Sequence, residues 1–128
     1  MPHLRFDHSP DLGQIVDLAG FAQHMRAAMV ETGLFPPGGI RVRGHAAGVQ
    51  AVADGAPHWH WLDMELRIGA GRPEGDRARA VESLYAAARA YLEPFVGTRP
   101  FALSMELREI DPRFSAKGWN TIHTALRG

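Results

Sequence analysis

The order of two hydrophobic periodicities along the chain constrains its fold more than any other feature. Four segments alternate apolar and polar residues, which is typical of strands that bury one face. Two other segments repeat apolar residues every three or four positions, which is typical of helices that pack on one side. The order is strand, helix, strand, strand, helix, strand. It predicts two βαβ units with parallel strands and a single two-layer α+β domain over residues 1–128, in which two helices cover one face of a four-stranded mixed sheet.

The apolar residues of the predicted strands define the face that packs against the helices. They are Leu4 and Phe6, then Ile40 and Val42, then Leu62, Met64, Leu66 and Ile68, and finally Phe101, Leu103, Met105 and Leu107. The opposite face carries arginines and carboxylates, among them Arg5, Glu65 and Arg108. That face fits either a solvated surface or the lining of a polar channel around a symmetry axis. Because free sheet edges favour pairing between copies, we expect an oligomer.

The predicted helices have identifiable ends. The first begins near Asp17 and ends before Gly33, a residue suited to a C-terminal cap, and the second ends around Pro94. Their apolar stripes consist of Ile15, Leu18, Ala22, Met25 and Met29 in the first helix, and of Val81, Leu84, Tyr85, Ala88, Leu92 and Phe95 in the second. The glycines and proline within residues 46–58 predict a connector, with a short edge strand at residues 49–52.

The composition excludes several classes of function. Fourteen basic and fourteen acidic residues cancel, so the chain lacks the positive charge expected of a nucleic-acid-binding protein. The absence of cysteine excludes disulfides, thiolate catalysis and zinc–thiolate sites. No apolar run approaches the roughly 20 residues that span a bilayer, and the amino terminus does not resemble a signal peptide. We therefore expect a cytoplasmic protein with neither nucleic-acid nor membrane partners.

Proline at position 2 is a candidate catalytic group. A small second residue favours removal of Met1, which would leave Pro2 with a free secondary amine. The reference pKa of an α-amino group is roughly 7.7–8.0, so a modest downward shift makes it a usable base near neutral pH. Proline is also a common second residue without any function. Position 2 alone therefore does not establish a role.

Two glycine-containing segments place arginines where they can bind anions. Residues 33–43 form a turn rich in proline and glycine that leads to Arg41 and Arg43 on a strand. Residues 68–73 end a strand in a tight turn and place Arg72 just before a helix. Arginine beside the exposed backbone N–H groups of a helix start is suited to a carboxylate or phosphate. Alternatively, the glycines serve only the turn and Arg72 is solvated; the third glycine of a dinucleotide-binding fingerprint is missing.

The seven histidines raise the question of a metal site. His58 and His60 lie two residues apart, so on a strand they would share a face and could hold an ion. No third ligand is evident beside them, and a metal site normally needs at least three protein ligands. We therefore expect neither a metal nor a cofactor.

The motifs occur together, in the same order and at similar spacing, in one known family. They comprise the amino-terminal Pro2, Gly-x-Phe-Pro-x-x-Gly-Ile-Arg-x-Arg at 33–43, Ala-Asp-Gly at 53–55, Ile-Gly-Ala-Gly-Arg at 68–72, and Ala-Leu-Ser at 102–104 followed by Glu106 and Glu109. On these residues the chain resembles the 5-carboxymethyl-2-hydroxymuconate Δ-isomerase family of the tautomerase superfamily. The resemblance covers essentially the whole chain.

The resemblance implies the structure and the site residues that follow. Subunits of this kind are β-α-β-β-α-β units assembled as homotrimers, with active sites near subunit boundaries. By motif match, Pro2 carries the proton, and Arg41 and Arg72 bind substrate carboxylates. Arg43 is a weaker candidate, because an inter-strand ion pair is the more usual role for such a residue. Phe35 and Trp119 are candidates for the apolar wall of the pocket.

The implied activity is a cofactor-free isomerisation of an unsaturated hydroxy- or oxo-polycarboxylate, a small molecule. The expected substrate is 5-carboxymethyl-2-hydroxymuconate, in homoprotocatechuate degradation. Uncharged Pro2 would accept a proton at one position and return it at another, while the arginines stabilise the dienolate-like transition state. Two alternatives stay open at this point. One is a keto–enol tautomerase acting on another carboxylate, such as a phenylpyruvate-like compound, and the other is a non-catalytic trimeric scaffold or signalling protein.

Overall fold

The computed structural model describes residues 1–127 and has the predicted order of strands and helices; Gly128, the last residue of the predicted domain, lies outside the described residues. The strands are β1 (His3–His8), β2 (Arg41–Ala46), β3 (His60–Gly69) and β4 (Phe101–Ile110). The helices are α1 (Leu18–Glu31), α2 (Glu74–Val96) and α3 (Ile122–Arg127). Short 3₁₀ turns occur at Leu12–Gln14, Pro37–Gly39 and Pro112–Phe114.

The four strands form one mixed sheet in the order β2-β1-β3-β4. β1 is parallel to β2, β3 is parallel to β4, and β1 and β3 form the antiparallel pair that joins the two βαβ units. The predicted fold class is therefore confirmed. β1 is an inner strand, and its first residue His3 lies opposite Arg41 on one side and Arg67 on the other.

The hydrophobic core lies between the sheet and the helices α1 and α2. In β1, Leu4 and Phe6 are buried as the alternation predicts, and the ring of Phe6 meets that of Phe21 edge-on at 5.0 Å between centroids. The other buried side chains include Leu62, Met64, Leu66 and Ile68 of β3, Met25 and Met29 of α1, and Leu84, Ala88 and Leu92 of α2. Burying one such large side chain stabilises the fold by about 1.5–3 kcal/mol relative to leaving it exposed.

The ends of α1 agree with the sequence prediction. Asp17 precedes the helix, and its side chain accepts a hydrogen bond of 3.0 Å from the backbone N–H of Gly20. This capping bond satisfies one of the free N–H groups at the helix start. Gly33 follows the helix with φ of +70°, a conformation that glycine adopts without strain. Pro94 lies in the last turn of α2, which ends two residues later before Gly97, at φ +63°.

The predicted stripe of α2 is partly wrong. The buried residues recur every four positions, at Ala80, Leu84, Ala88, Leu92 and Val96. Val81 is only half-buried and Phe95 is 37% exposed, although the sequence pattern places both on the buried face. A strict four-residue spacing is the ridge that helices commonly pack against their neighbours. The sequence prediction mixed spacings of three and four and so broadened the stripe on one side.

The predicted edge strand at residues 49–52 is also wrong. Residues 47–59 contain no strand. Side chains hold this connector instead, since the indole N–H of Trp61 donates to Gln50 at 2.8 Å and that of Trp59 donates to Asp54 at 2.6 Å. Bonds from two indoles thus replace the backbone ladder that the prediction required.

The outer face of the sheet carries paired charges. Arg108 on β4 contacts Glu65 at 3.3 Å and Glu106 at 3.0 Å, and the hydroxyl of Ser104 donates to Asp63 at 2.7 Å. The contacts of Arg108 with Glu65 and of Ser104 with Asp63 join β3 and β4 on the face away from the helices, whereas the pair of Arg108 with Glu106 lies within β4. Within residues 1–127, no helix is long and apolar enough to cross a membrane.

Candidate active site

The topology of the sheet brings four distant parts of the chain to the start of β1. Because β2 is parallel to β1, the turn before Arg41 lies beside Pro2. Because β3 is antiparallel to β1, the end of β3 at Gly69 also lies there. The C-terminal tail, residues 115–127, completes the group by contacting the turn Pro37–Gly39 through α3.

A cavity of about 280 Å³ lies where these four parts meet, and we call it the amino-terminal cavity. Its lining residues are Met1, Pro2, Pro36, Gly39, Gly69, Arg72, Lys117, Asn120 and His123. These lining residues include two cations, Arg72 and Lys117. Within residues 1–127, the lining contains no aspartate or glutamate. A small cavity with positive charge and no carboxylate favours an anionic ligand.

A second cavity of similar volume, about 290 Å³, lies between α2 and β4. It holds the Arg89–Glu93 ion pair, at 2.6 Å, and apolar side chains such as Leu92 and Leu103. None of the predicted site residues lines it. The amino-terminal cavity is therefore the candidate active site.

Pro2 is held firmly in the amino-terminal cavity. Its carbonyl accepts a hydrogen bond of 3.0 Å from the backbone N–H of Arg41, so it is tied to the sheet before β1 begins. The side chain is buried, and its ring packs closely on Gly39, where an added Cβ would lie 3.2 Å from the Pro2 Cδ. In the structure Met1 precedes Pro2, so the prolyl nitrogen is an amide and the titrating amine is that of Met1.

The electrostatics of the cavity disfavour a protonated amine. The pKa of the Met1 α-amino group is lowered, first by burial and then by the positive charges of Lys117, Arg72, Arg67 and Arg41. Burial acts because the ammonium loses hydration, and the cations act by repulsion. An amine at this position is therefore more readily neutral near pH 7 than an ordinary α-amino group.

Arg72 lines the cavity and is positioned by backbone oxygens. Its Nη1 donates to the carbonyl of Gly69 at 3.4 Å and its Nη2 to that of Leu34 at 3.3 Å. Its guanidinium carbon lies 5.2 Å from the ring centroid of Phe35. Phe35 is buried in the core and is not among the lining residues. The structure thus places Phe35 against Arg72, where a cation–π contact orients the guanidinium, rather than on the cavity wall.

A glutamate of β4 fixes the loop that carries Arg72. Glu109 accepts a hydrogen bond of 3.3 Å from the backbone N–H of Gly71 and pairs with Arg77 at 3.2 Å. Arg77 in turn donates from Nε to the carbonyl of Arg72 at 3.2 Å. Gly71 has φ of +108°, which only glycine adopts readily, so this turn depends on its identity.

Arg41 lies at the edge of the site. Its Nη1 donates to the carbonyls of Gly38 at 3.0 Å and Ile40 at 2.9 Å, and its side chain is not among the lining residues. The amide of Asn120, which does line the cavity, donates to the same Gly38 oxygen at 3.2 Å. The guanidinium of Arg41 is therefore adjacent to the cavity, and its backbone holds Pro2.

The structure does not bring Arg43 or Trp119 into this cavity. Arg43 lies on β2, where its Nη1 is 3.2 Å from Nδ1 of His3, and none of the ion pairs among residues 1–127 includes it. The pKa of His3 is lowered by burial and by the charges of Arg67 and Arg43, which fits a neutral imidazole that accepts this bond. Trp119 is 90% exposed in the tail.

Sequence reasoning missed three lining residues, all in the tail. Lys117, Asn120 and His123 face the cavity. The ring of His123 packs on Gly38 so closely that a Cβ at position 38 would overlap it. No signal in the sequence could have identified them, because Lys117 and Asn120 lie between the last 3₁₀ turn and α3 and belong to no periodic element.

Comparison with known proteins first defines the class. A macrophage migration inhibitory factor-like protein from Entamoeba histolytica has the same fold, with a TM-score of 0.66 and 12% identity over 93% of this chain and 96% of that one. The chain thus has the fold of macrophage migration inhibitory factor-like proteins.

Closer similarities define the family. The family described as 5-carboxymethyl-2-hydroxymuconate isomerase matches residues 2–126. The Escherichia coli 5-carboxymethyl-2-hydroxymuconate Delta-isomerase is 32% identical over 127 residues, covering 99% of this chain and all of the relative. A crystal structure of a 5-carboxymethyl-2-hydroxymuconate delta-isomerase superposes with a TM-score of 0.90 and 28% identity, over 98% of this chain and 93% of that one. The chain belongs to the 5-carboxymethyl-2-hydroxymuconate isomerase family and is an isomerase, so the scaffold alternative is set aside.

Proposed function

We propose that this isomerase moves a proton within an unsaturated hydroxy- or oxo-polycarboxylate, with Pro2 as both base and acid. 5-Carboxymethyl-2-hydroxymuconate is the substrate we expect, from the family's name, with a cytoplasmic role in homoprotocatechuate degradation. The observation that carries the proposal is the amino-terminal cavity, where buried Pro2 meets cations and no identified carboxylate among the described residues. A polyanionic substrate matches that charge.

The proposed base forms when Met1 is removed. The free amine of Pro2 then occupies the start of β1, close to the cations that act on the Met1 amine, and we expect burial and these charges to act on it in the same direction. Its pKa is expected below that of an ordinary α-amino group, because both effects disfavour the protonated form. A neutral amine can accept a proton, and the resulting ammonium can return it at another carbon.

The arginines supply the charge that the reaction intermediate needs. Removal of a carbon-bound proton leaves a dienolate, whose negative charge spreads to the carbonyl oxygen. Arg72 donates single bonds to two carbonyls and has five N–H groups, so donors remain for a substrate carboxylate or this oxygen. Arg41, bonded here through Nη1 only, retains Nη2 and Nε for a second carboxylate.

In the proposed reaction one residue, Pro2, both removes and returns the proton. The Pro2 amine takes the proton from the substrate and becomes an ammonium, while the conjugated π electrons shift toward the carbonyl end. The ammonium then delivers the proton to the other end of the conjugated system. The double bond has moved, and the neutral amine is restored.

We also propose that the subunit assembles as a homotrimer. Phe114, Trp119 and Leu126 of the C-terminal region are 82%, 90% and 64% exposed in the single chain. A protein of the same fold is described as a fused 4-OT symmetric trimer. Covering these apolar side chains against another subunit would stabilise assembly. In such an assembly Trp119, which is exposed and does not line its own cavity, remains a candidate wall residue for a neighbouring one.

The experiment that tests the proposal compares three forms of the untagged protein: wild type with an amino-terminal Pro2 verified by mass spectrometry, Pro2→Ala, and a form with one residue retained before Pro2. We expect both altered forms to lose about 10²- to 10⁴-fold in kcat/KM for 5-carboxymethyl-2-hydroxymuconate, the usual contribution of a general acid–base group. Turnover is followed by ultraviolet absorbance and folding by circular dichroism. Full activity in either altered form would rule out Pro2. Faster turnover of a monocarboxylate enol than of the tricarboxylate would instead favour a broader keto–enol tautomerase.

A further inference from the structure

The only lysine in the sequence lies beside the proposed catalytic residue. Lys117 belongs to the tail between the turn Pro112–Phe114 and α3, and it lines the amino-terminal cavity together with Pro2 and Arg72. It also lines a smaller neighbouring cavity of about 130 Å³, and Met1 and Gly69 are shared by both. Lys117 therefore stands at the junction of the two cavities.

The tail is anchored on both sides of Lys117. On its far side, Asn120 donates to the carbonyl of Gly38 at 3.2 Å and accepts a hydrogen bond of 2.9 Å from the backbone N–H of Ile122, at the start of α3. On its near side, the chain continues directly from β4, which is fixed in the sheet and ends at Ile110. The segment that carries Lys117 is thus held at two points, so its ammonium stays near the cavities while its stem can move.

No counterion for Lys117 is present in the part of the chain that the structure describes. The smaller cavity is lined by Met1, Gly69, Ala70, Ile110, Pro112, Ser115 and Lys117, and neither cavity's identified lining includes a carboxylate. The ion pairs among residues 1–127 include neither Lys117 nor Arg72. Two cations without an ion-pair partner among these residues thus line the amino-terminal cavity, and Lys117 also lines the smaller one.

We infer that Lys117 binds one carboxylate of the substrate where the two cavities join, while Arg72 binds another, so that the tail selects substrates with several carboxylates over monocarboxylates. This inference rests on the proposed function. An ammonium is suited to the role because it is a mobile point charge with three donors, which can follow a flexible carboxymethyl group better than a rigid guanidinium can. Arg72, oriented by carbonyls and by Phe35, binds at a fixed position.

Lys117 has a second effect that a purely structural residue would not have. It is the first of the charges that lower the pKa of the Met1 α-amino group. For the Pro2 amine that takes its place when Met1 is removed, we expect loss of this charge to raise the pKa, so that the acidic limb of the kcat/KM profile moves to higher pH. The shift is partial, because burial of the amine acts more strongly than the charge does.

The test compares Lys117→Met and Lys117→Arg with a matched control, Arg127→Met, in the untagged protein with a verified Pro2 start. Arg127 is an exposed cation of the same tail and lines neither cavity. We expect Lys117→Met to raise KM for a tricarboxylate enol about 10- to 100-fold, as loss of a charged hydrogen bond does. We expect less than about 3-fold for a monocarboxylate enol. Lys117→Arg should restore most of the preference for the tricarboxylate over the monocarboxylate. Arg127→Met should change the KM of neither substrate.

Binding without turnover separates this inference from the proposed function. Propane-1,2,3-tricarboxylate and the monocarboxylate butyrate serve as probes in calorimetry, and neither can isomerise. A selective loss of tricarboxylate affinity in Lys117→Met supports the inference even if the wild type is inactive on every enol. Such inactivity would contradict the proposed function and leave the inference about binding standing. Equal effects on both probes, no effect on either, or an equal effect of Arg127→Met would overturn the inference. An unchanged acidic limb in Lys117→Met would contradict the placement of its charge beside the base.

Discussion

The cations of the amino-terminal cavity and those along α2 have similar chemistry but different partners. On α2, Arg79 pairs with Asp76 at 3.4 Å and Arg89 with Glu93 at 2.6 Å, each within about one turn of the same helix. In the cavity, Arg72 donates to carbonyl oxygens, which position it without cancelling its charge. In an ion pair on one helix the carboxylate neutralises the arginine, whereas an arginine held by backbone oxygens keeps its charge for a ligand. The difference shows which arginines can serve a ligand.

Among the variants that test this comparison, the largest effect is expected from removing the charge of Arg72 in the cavity. Arg72→Met keeps an apolar stem over Phe35 but loses the guanidinium, so we expect kcat/KM for the polycarboxylate to fall about 10- to 150-fold, the equivalent of one or more charged hydrogen bonds. Steady-state kinetics measures the loss. The matched control, Arg79→Met, removes an ion-paired cation that is 60% exposed.

Arg79→Met should leave kcat/KM unchanged and alter the free energy of unfolding by no more than about 0.5 kcal/mol, as is usual for an exposed helical pair. Denaturant titration checks this value. If the control lost as much activity as Arg72→Met, the contrast between the two regions would fail, because any arginine would then contribute through overall charge.

A smaller effect is expected when the tail is displaced. Gly38→Ala places a methyl group against the ring of His123, whereas Gly48→Ala meets no atom within 4 Å and serves as the control. Overpacking of this kind usually costs about 1–3 kcal/mol, and here moving the tail away relieves it. We expect a rise of up to about 10-fold in KM for Gly38→Ala, with the tail more open to limited proteolysis. Unchanged kinetics and proteolysis would mean that the tail is not anchored at Gly38.

The smallest effect is expected from loosening the support of Arg72. Glu109→Gln weakens the pair with Arg77 and keeps an oxygen that can accept from Gly71. Because the pair is about one-third exposed, screening by solvent limits its contribution, and we expect KM to rise only about 2- to 5-fold. Glu106→Gln, which alters the pair with Arg108 on the outer sheet face, is the control. A larger effect from Glu106→Gln would show that the outer face, rather than the loop, governs the site.

Local features of the fold could be predicted from the sequence, and features set by distant contacts could not. The alternation in β1 and β3 and the ends of α1 follow from residues within a few positions of one another. Phe35 was only a candidate for the pocket wall, because an aromatic residue beside a proline-rich turn gives no indication of which of its sides is covered. Its burial beneath Arg72 depends on a loop that lies almost forty residues away in the sequence.

The part of the candidate site that lies in sequence motifs, Pro2 and Arg72, could be predicted from the sequence. Pro2 and Arg72 meet in the cavity because the sheet register brings the start of β1 to the end of β3. Nothing local indicates that Lys117 or His123 reaches the same place. The tail returns to Gly38 through side-chain contacts, and such contacts depend on the completed sheet rather than on any sequence period.

The inner position of β1 has a consequence for the order of events during synthesis. This strand emerges from the ribosome first, yet it needs β2 and β3 on its two sides, and β3 ends only at Gly69. At about 5–20 residues per second, several seconds pass before both neighbours have been translated. During that interval the first residues are unfolded and open to the aminopeptidase that removes methionine. The fold thus leaves time for the proposed removal of Met1 before the sheet closes around Pro2.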